Sequence, residues 1–243
     1  MQTLRAELAP HGCLRVGLNM SNFLLVQAGV DGGAPTGIVP DLASQIAAHI
    51  GVPITWLPYA DAGLVADGAQ ADIAQDAWDV AFMGAEPARA ARIDFTPAYV
   101  EIEASCLVPA GSAIDSLAAL DRAGMRIATA ARAAYTLYLQ RTLQHAELVT
   151  AEGLEGSFQL FQQGGFDALA GLKPRLLNDR PRLPGTQLLP GRFTAIQQSI
   201  ATPRGRPAAF AFLRDFAQTI KTDGTAAGLI ARHGVQGLTV AAP

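Results

Sequence analysis

An α/β fold of two lobes joined by two crossing strands is what this sequence predicts, and three observations carry it. Strand-like and helix-like stretches alternate through residues 14–83. A second alternating set runs through residues 126–179. A long extended stretch leads into the second set, and another leads out of it. Strand, helix, strand, helix, strand is the pattern of a parallel sheet with crossover helices. The predicted boundaries are residues 1–101 with 197–243 for the first lobe and 102–196 for the second.

The elements follow in chain order. Leu14-Arg15-Val16-Gly17-Leu18 alternates as a short strand ending at Asn19, and a polar, Gly-rich stretch follows from Ser21 to Gly37. Pro40 suits the first position of a helix, and Asp41 favours the positive end of its dipole. Leu42, Ala43, Ile46, Ala47 and Ile50 make the apolar stripe of that helix, which Gly51 and Pro53 stop. Residues 54–57 and 79–83 read as strands on either side of an Ala-rich helical stretch near 62–76. The segment 93–99 is extended, and Val100 to Val108 alternates over an unusually long strand. Strands at 126–129, 147–150 and 167–170 then alternate with helices at 133–144, 155–163 and 174–179. Phe193 to Ala201 returns as an extended stretch, and two helices near 207–221 and 225–233 close the chain.

Composition narrows the function. The 243 residues are 50% hydrophobic and 16% charged, enough apolar surface to offset ordering entropy, so a disordered protein is excluded. The net charge of −3 disfavours a nucleic-acid binder, which needs a basic face. No apolar run reaches the ~18 residues of a membrane span. Cys13 and Cys106 are the only cysteines, which rules out a disulfide scaffold and reads as two separate thiols. The start, Met1 to Glu7, has neither the basic region nor the apolar core of a signal peptide. The chain therefore stays in the cytoplasm or has had a signal removed. His11, His49, His145 and His233 show no metal spacing, and no HExxH, GxSxG, P-loop or dinucleotide fingerprint is present. No cofactor is expected.

Four blocks, in order, resemble one family. They are Leu14–Leu18; Gly37-Ile38-Val39-Pro40-Asp41-Leu42-Ala43; Trp78-Asp79-Val80-Ala81-Phe82 with Pro87-Ala88-Arg89 and Ile93-Asp94-Phe95-Thr96-Pro97-Ala98-Tyr99; and Thr222-Asp223-Gly224-Thr225. Together they resemble the type 2 periplasmic solute-binding proteins, in the family 3 branch that serves amino-acid ABC transporters. The resemblance implies the two-lobed type 2 fold and non-catalytic capture of a small amino acid or related carboxylate in an interlobe cleft. It also implies hinge closure, a monomer and an ABC permease as partner.

A ligand carboxylate buried by closure needs a cation, and the planar fork of arginine matches it bidentately. Arg89 follows the third strand, at the end where open parallel sheets hold ligands. It lies six residues before Phe95, the position at which the resembled family holds the α-carboxylate. The hydroxyl-bearing run that the family often places before this arginine is replaced by Met83-Gly84-Ala85-Glu86. Backbone N–H groups at Gly84 and Ala85 are then the expected donors, with Met83 as a wall.

In the second lobe, the loop Ala131-Arg132-Ala133 leads into a helix whose free N–H groups suit an anion. Arg132 is a second anion ligand or a solvated residue; facing the cleft, it favours a dicarboxylate. The acid that the family uses for an α-ammonium falls on Leu172. Either the ligand lacks an amine or another acid serves, with Glu103 and Glu101 as candidates. Phe23 and Tyr59 are expected as aromatic walls, with core packing the alternative for each. Asn19 and Asn22 are placed at the cleft mouth, and Gln198 is preferred over Gln197 on the returning strand. Two other readings stay open on the same fold. One is an enzyme resembling cyclohexadienyl or arogenate dehydratase, with Glu86, Glu101 or Glu103 recruited. The other is a cytoplasmic metabolite sensor.

Overall fold

The computed structural model describes residues 1–69, 77–116 and 118–242. The chain divides into two compact units, Met1–Glu101 with Gln197–Pro243, and Ile102–Ile196.

Unit 1 opens with helix α1 (Gln2–Leu8), strand β1 (Leu14–Asn19), helix α2 (Ile38–Ile50), β2 (Ile54–Tyr59), α3 (Ala62–Gly68), β3 (Val80–Gly84) and β4 (Ile93–Phe95). The helix expected near 62–76 thus runs over Ala62–Gly68, and residues 70–76 lie outside the described residues. Strand β5 (Val100–Pro109) leaves the unit. Unit 2 then contains β6 (Arg126–Ala130), α4 (Ala134–Thr142), β7 (Glu147–Ala151), α5 (Gly153–Gln162), β8 (Ala168–Leu172), α6 (Lys173–Asp179) and β9 (Thr186–Leu188). Strand β10 (Thr194–Pro203) returns to unit 1, which ends with α7 (Pro207–Thr222), α8 (Thr225–Arg232) and β11 (Leu238–Val240).

In unit 1 the strands lie in the order β2-β1-β3-β10, with β4 also paired to β10. β1 is parallel to β2 and β3, and β10 is antiparallel to β3. In unit 2 the order is β7-β6-β8-β5, with β9 also on β5. β6 is parallel to β7 and β8, and β8 is antiparallel to β5. All the residues of β1 and β3 are buried, as expected of strands covered on both faces.

Helix α2 begins two residues before the predicted Pro40. Pro40 is tolerated in the first turn because those N–H groups have no intrahelical partner in any case. One of them, on Val39, donates to the Leu25 carbonyl at 3.0 Å. Gly37 precedes the helix at φ 122°, and a Cβ there would stand 2.6 Å from the Leu25 oxygen, so only glycine fits.

Each unit has its own apolar interior. Val65, Trp78, Ala81, Met83, Ile93 and Ala201 cluster in unit 1. In unit 2, Cys106, Ile127, Leu139 and Leu189 pack in one cluster, and Leu107, Phe158, Leu169 and Leu176 in another. Cys106 is buried and Cys13 half-buried, both as free thiols. No helix among the described residues is long and apolar enough to cross a membrane.

Candidate functional site

Three parallel strands end together in unit 1. Asn19 and Tyr59 are in register at the ends of β1 and β2, and Gly84 closes β3. Beyond that edge the loops carry Asn22, Phe23, Ala85 and Arg89. Arg89 sits in the turns after β3 with only 7% of its surface exposed, and its Nη1 donates to the Gly84 carbonyl at 2.8 Å. Its own backbone carbonyl accepts from the N–H groups of Arg92 and Ile93, so the turn that carries the guanidinium is fixed. Glu86 is buried in the same loop, and its carbonyl accepts from the Arg89 N–H at 2.9 Å.

Asn19 is nearly buried, and its Oδ1 accepts from the Ser21 hydroxyl at 2.7 Å and the Ser21 N–H at 3.2 Å. Asn22 is buried, and its carbonyl accepts from Leu25 and Val26, which closes the turn after β1; Phe23 in that turn is half-buried. Gln198 is buried on β10 directly opposite Gly84. The Oδ1 of Asn22 and the Oε1 of Gln198 accept no hydrogen bond among the described residues.

Three expectations for this edge meet a different environment. Met83 is fully buried and packs with Trp78 and Val65, so it belongs to the interior of unit 1 rather than to an open wall. On a strand covered on both faces, alternation alone does not say which side chains reach a ligand. The Ala85 N–H donates to the Gln197 carbonyl at 2.9 Å, so β10 already uses that donor. Tyr59 packs against the same cluster as Met83. Of the tryptophans, Trp78 is fully buried with its Nε1 donating to the Val65 carbonyl at 2.7 Å, and Trp56 is half-buried.

In unit 2, β6 runs into Ala131, Arg132 and Ala133 before α4. The Ala131 N–H donates to the Ala151 carbonyl at 2.8 Å, so this donor too belongs to the sheet. Arg132 is exposed and holds a left-handed backbone at φ 58°. Ala133 is the N-cap of α4 and offers no capping side chain, where Ser, Thr, Asp or Asn is usual. Glu103, expected as an ammonium partner, is held by two cations of its own unit, Lys173 at 2.8 Å and Arg192 at 3.6 Å. The hydrogen bond from Lys173 keeps the Glu103 carboxyl below its ordinary range. Glu101 accepts from the Gln197 amide at 3.0 Å. Sequence reading missed Lys173 and Arg192; the signal available was the position of Lys173, directly after a strand of the parallel sheet.

Among the described residues no cluster of three or more His, Cys, Asp or Glu is able to hold a metal ion. The edge of unit 1 offers a buried guanidinium and buried amide groups, a set suited to holding an anion.

No curated protein matches the sequence. A putative binding component of an ABC transporter from Wolinella succinogenes, complexed with lysine, shares 22% identity at a TM-score of 0.73, over 91% of this chain and 95% of that one. The ancestral amino-acid-binding protein AncCDT-1, a precursor of cyclohexadienyl dehydratase, shares 24% identity at a TM-score of 0.72, over 95% and 98%. An amino-acid ABC transporter substrate-binding protein from Streptococcus pneumoniae, bound to L-arginine, shares 20% identity at a TM-score of 0.73, over 98% and 99%. These likenesses establish the type 2 periplasmic-binding-protein fold. Residues 14–236 match the model of the bacterial extracellular solute-binding proteins, family 3, and the chain belongs to that family.

Proposed function

We propose that this protein binds a small amino acid or related carboxylate without turning it over, as the solute receptor of an ABC transporter. The observation that carries the reading is Arg89, a buried guanidinium fixed by the Gly84 carbonyl at the carboxyl edge of a parallel sheet, in a chain of this family. Arg89 takes the ligand carboxylate. Asn19, Asn22 and Gln198 contribute from the same edge, with Phe23 beside them. The second unit contributes through Arg132 and the N–H groups at the start of α4. Capture is by closure of the two lobes, and the crossing strands β5 and β10 absorb the motion.

Thermal unfolding against a library of amino acids, keto acids, dicarboxylates and aromatic acids tests this. A ligand at ~100 times its Kd adds about 2.7 kcal/mol of stability, a readable shift. The shift is expected in the wild type and absent in Arg89→Ala. A hit that persists undiminished in Arg89→Ala removes the site assignment.

The likeness to a dehydratase precursor, together with the buried Glu86, supports a second reading as an enzyme. Prephenate and arogenate separate the two: a receptor leaves them intact and a dehydratase consumes them.

A further inference from the structure

We infer that unit 2 holds a ligand site of its own, an apolar pocket that takes a small uncharged aromatic molecule. The pocket has a volume of about 210 Å³. It reaches the interior of the unit, because Cys106 on β5, Ile127 on β6 and Leu139 on α4 line it and none is more than 5% exposed. Leu120, 2% exposed, lines it from a short 3-10 helix, Ala118–Leu120, and Leu143 does so from just past α4. The half-buried rings of Tyr138 and Phe193 complete the lining toward solvent. All these residues belong to Ile102–Ile196, so the site is complete within one unit.

The lining is held in place without a guest. The Asp121 carboxylate accepts from the N–H groups of Gln144, His145 and Ala146 at 3.0, 2.8 and 3.0 Å. Those bonds tie the segment that carries Leu120 to the one that follows Leu143. The Phe193 N–H donates to the Ala104 carbonyl at 3.0 Å. The Tyr138 ring stacks on Phe193 with centroids 6.0 Å apart, and the Arg141 guanidinium lies 5.0 Å from its centroid. A guest therefore meets a formed pocket and does not have to order it.

The chemistry of the lining selects the guest. Among the described residues it includes no charged side chain. Its polar side chains are the Tyr138 phenol, the Thr142 hydroxyl, which donates to the Tyr138 carbonyl at 2.9 Å, and the Cys106 thiol. The thiol is a weak donor, and burial pushes its pKa up, so it stays neutral. Water in a pocket needs two to four polar partners, a demand this lining meets poorly, whereas apolar cavities of about 150 Å³ stay dry and take up benzene. The larger volume here has room for one or two fused rings. Aromatic pairs favour centroids ~4.5–7 Å apart, a contact that Tyr138 and Phe193 offer to a ring beside them. A carboxylate or ammonium would give up its water there and find no countercharge. The guest of this pocket is thus of a different class from a carboxylate held by Arg89.

Methyl-labelled NMR of the full chain, titrated with indole, toluene and benzoate, gives the test. Indole or toluene is expected to move the methyl signals of Ile127 and Leu139 saturably, with a Kd below about 1 mM for a guest of this size. The methyls of Ile38 and Ile46, buried in unit 1, are expected to stay in place and so report that the rest of the fold is unchanged. Benzoate, which adds a charge to the same ring, is expected to leave Ile127 and Leu139 unmoved. Ala118 also lines the pocket and is exposed, so Ala118→Trp fills the space with little cost to the fold. That variant is expected to weaken binding at least about tenfold. Arg89→Ala, which disables the proposed carboxylate site, is expected to leave it unchanged.

The inference is overturned if neither indole nor toluene shifts Ile127 and Leu139 saturably up to its solubility. It is overturned equally if benzoate shifts them at the same concentrations as toluene, or if Ala118→Trp with unchanged unit 1 methyls binds as tightly as the wild type. Loss of the shifts in Arg89→Ala would place the guest elsewhere and overturn it too. None of these results bears on carboxylate capture, which is read separately from the dependence of carboxylate binding on Arg89.

Discussion

Asp79 has no exposed surface, and two arginines converge on it. The Arg15 guanidinium donates to both of its carboxylate oxygens, at 2.9 and 2.8 Å, and Arg206 donates to Oδ1 at 2.9 Å. The Arg15 backbone N–H adds a fourth bond at 3.1 Å. Arg206 reaches further, to the Glu7 carbonyl, and the Glu7 carboxylate accepts from the Ala209 N–H. One buried acid thus ties together β1, the start of β3, the entry to α7 and the first helix. The side-chain hydrogen bond to Asp79 is the main reason that the Arg15 pKa is raised. Removing one member of a buried ionic group leaves the others uncompensated, which costs about 3–5 kcal/mol. Asp79→Asn is therefore expected to lose stability on that scale in urea unfolding, with α1 released. A loss under about 1 kcal/mol would place these arginines in the class of exposed pairs, against their burial.

At the scale of elements, β1 can lie against Trp78 only because residue 17 has no side chain. A Cβ on Gly17 would stand 2.9 Å from two indole carbons. The indole has no room to yield, since it is fully buried and its Nε1 is bonded to the Val65 carbonyl. Overpacking of this kind costs about 1–3 kcal/mol. Gly17→Ala is expected to lower the unfolding midpoint by that amount, and Trp78 fluorescence reports the shift; an unchanged midpoint would mean that the strand moves freely. The longer strands and helices were legible because hydrophobic period and Gly or Pro stops coincide, as at Leu14–Asn19 and at Ile50 with Gly51. α1 was not, because seven residues show too little periodicity, and its position depends on partners about 200 residues away. The three-residue strands β9 and β11 are too short to alternate visibly. The position of Arg89 in the turns after a parallel strand was legible. The packing of Met83 and the engagement of Ala85 and Glu103 were not, because face, register and ion pairing are tertiary facts.

At the scale of the molecule, the two units stand differently in the chain. Unit 2 is one continuous stretch, Ile102–Ile196, whereas unit 1 is assembled from two stretches. Unit 2 also contains what a domain needs to fold alone. Its sheet order β7-β6-β8-β5 closes within residues 102–196, with β9 on β5. Among the described residues, its clusters around Ile127 and Phe158 are built from unit 2 side chains. Its ends lie on β5 and β10, so cutting at 102 and 196 removes parts of two strands and no whole element. Isolated residues 102–196 are therefore expected to fold cooperatively. Stability should be on the order of 5 kcal/mol, the low end for a domain of this size, because the trimmed strands lose ladder partners. Residues 1–101 alone should not fold, since β3 pairs with β10 and α1 packs on α7, and both partners come from the second stretch. Circular dichroism with urea titration decides both points. A non-cooperative 102–196 fragment, or a cooperatively folding 1–101 fragment, would mean that the division of the chain is one of shape and not of folding.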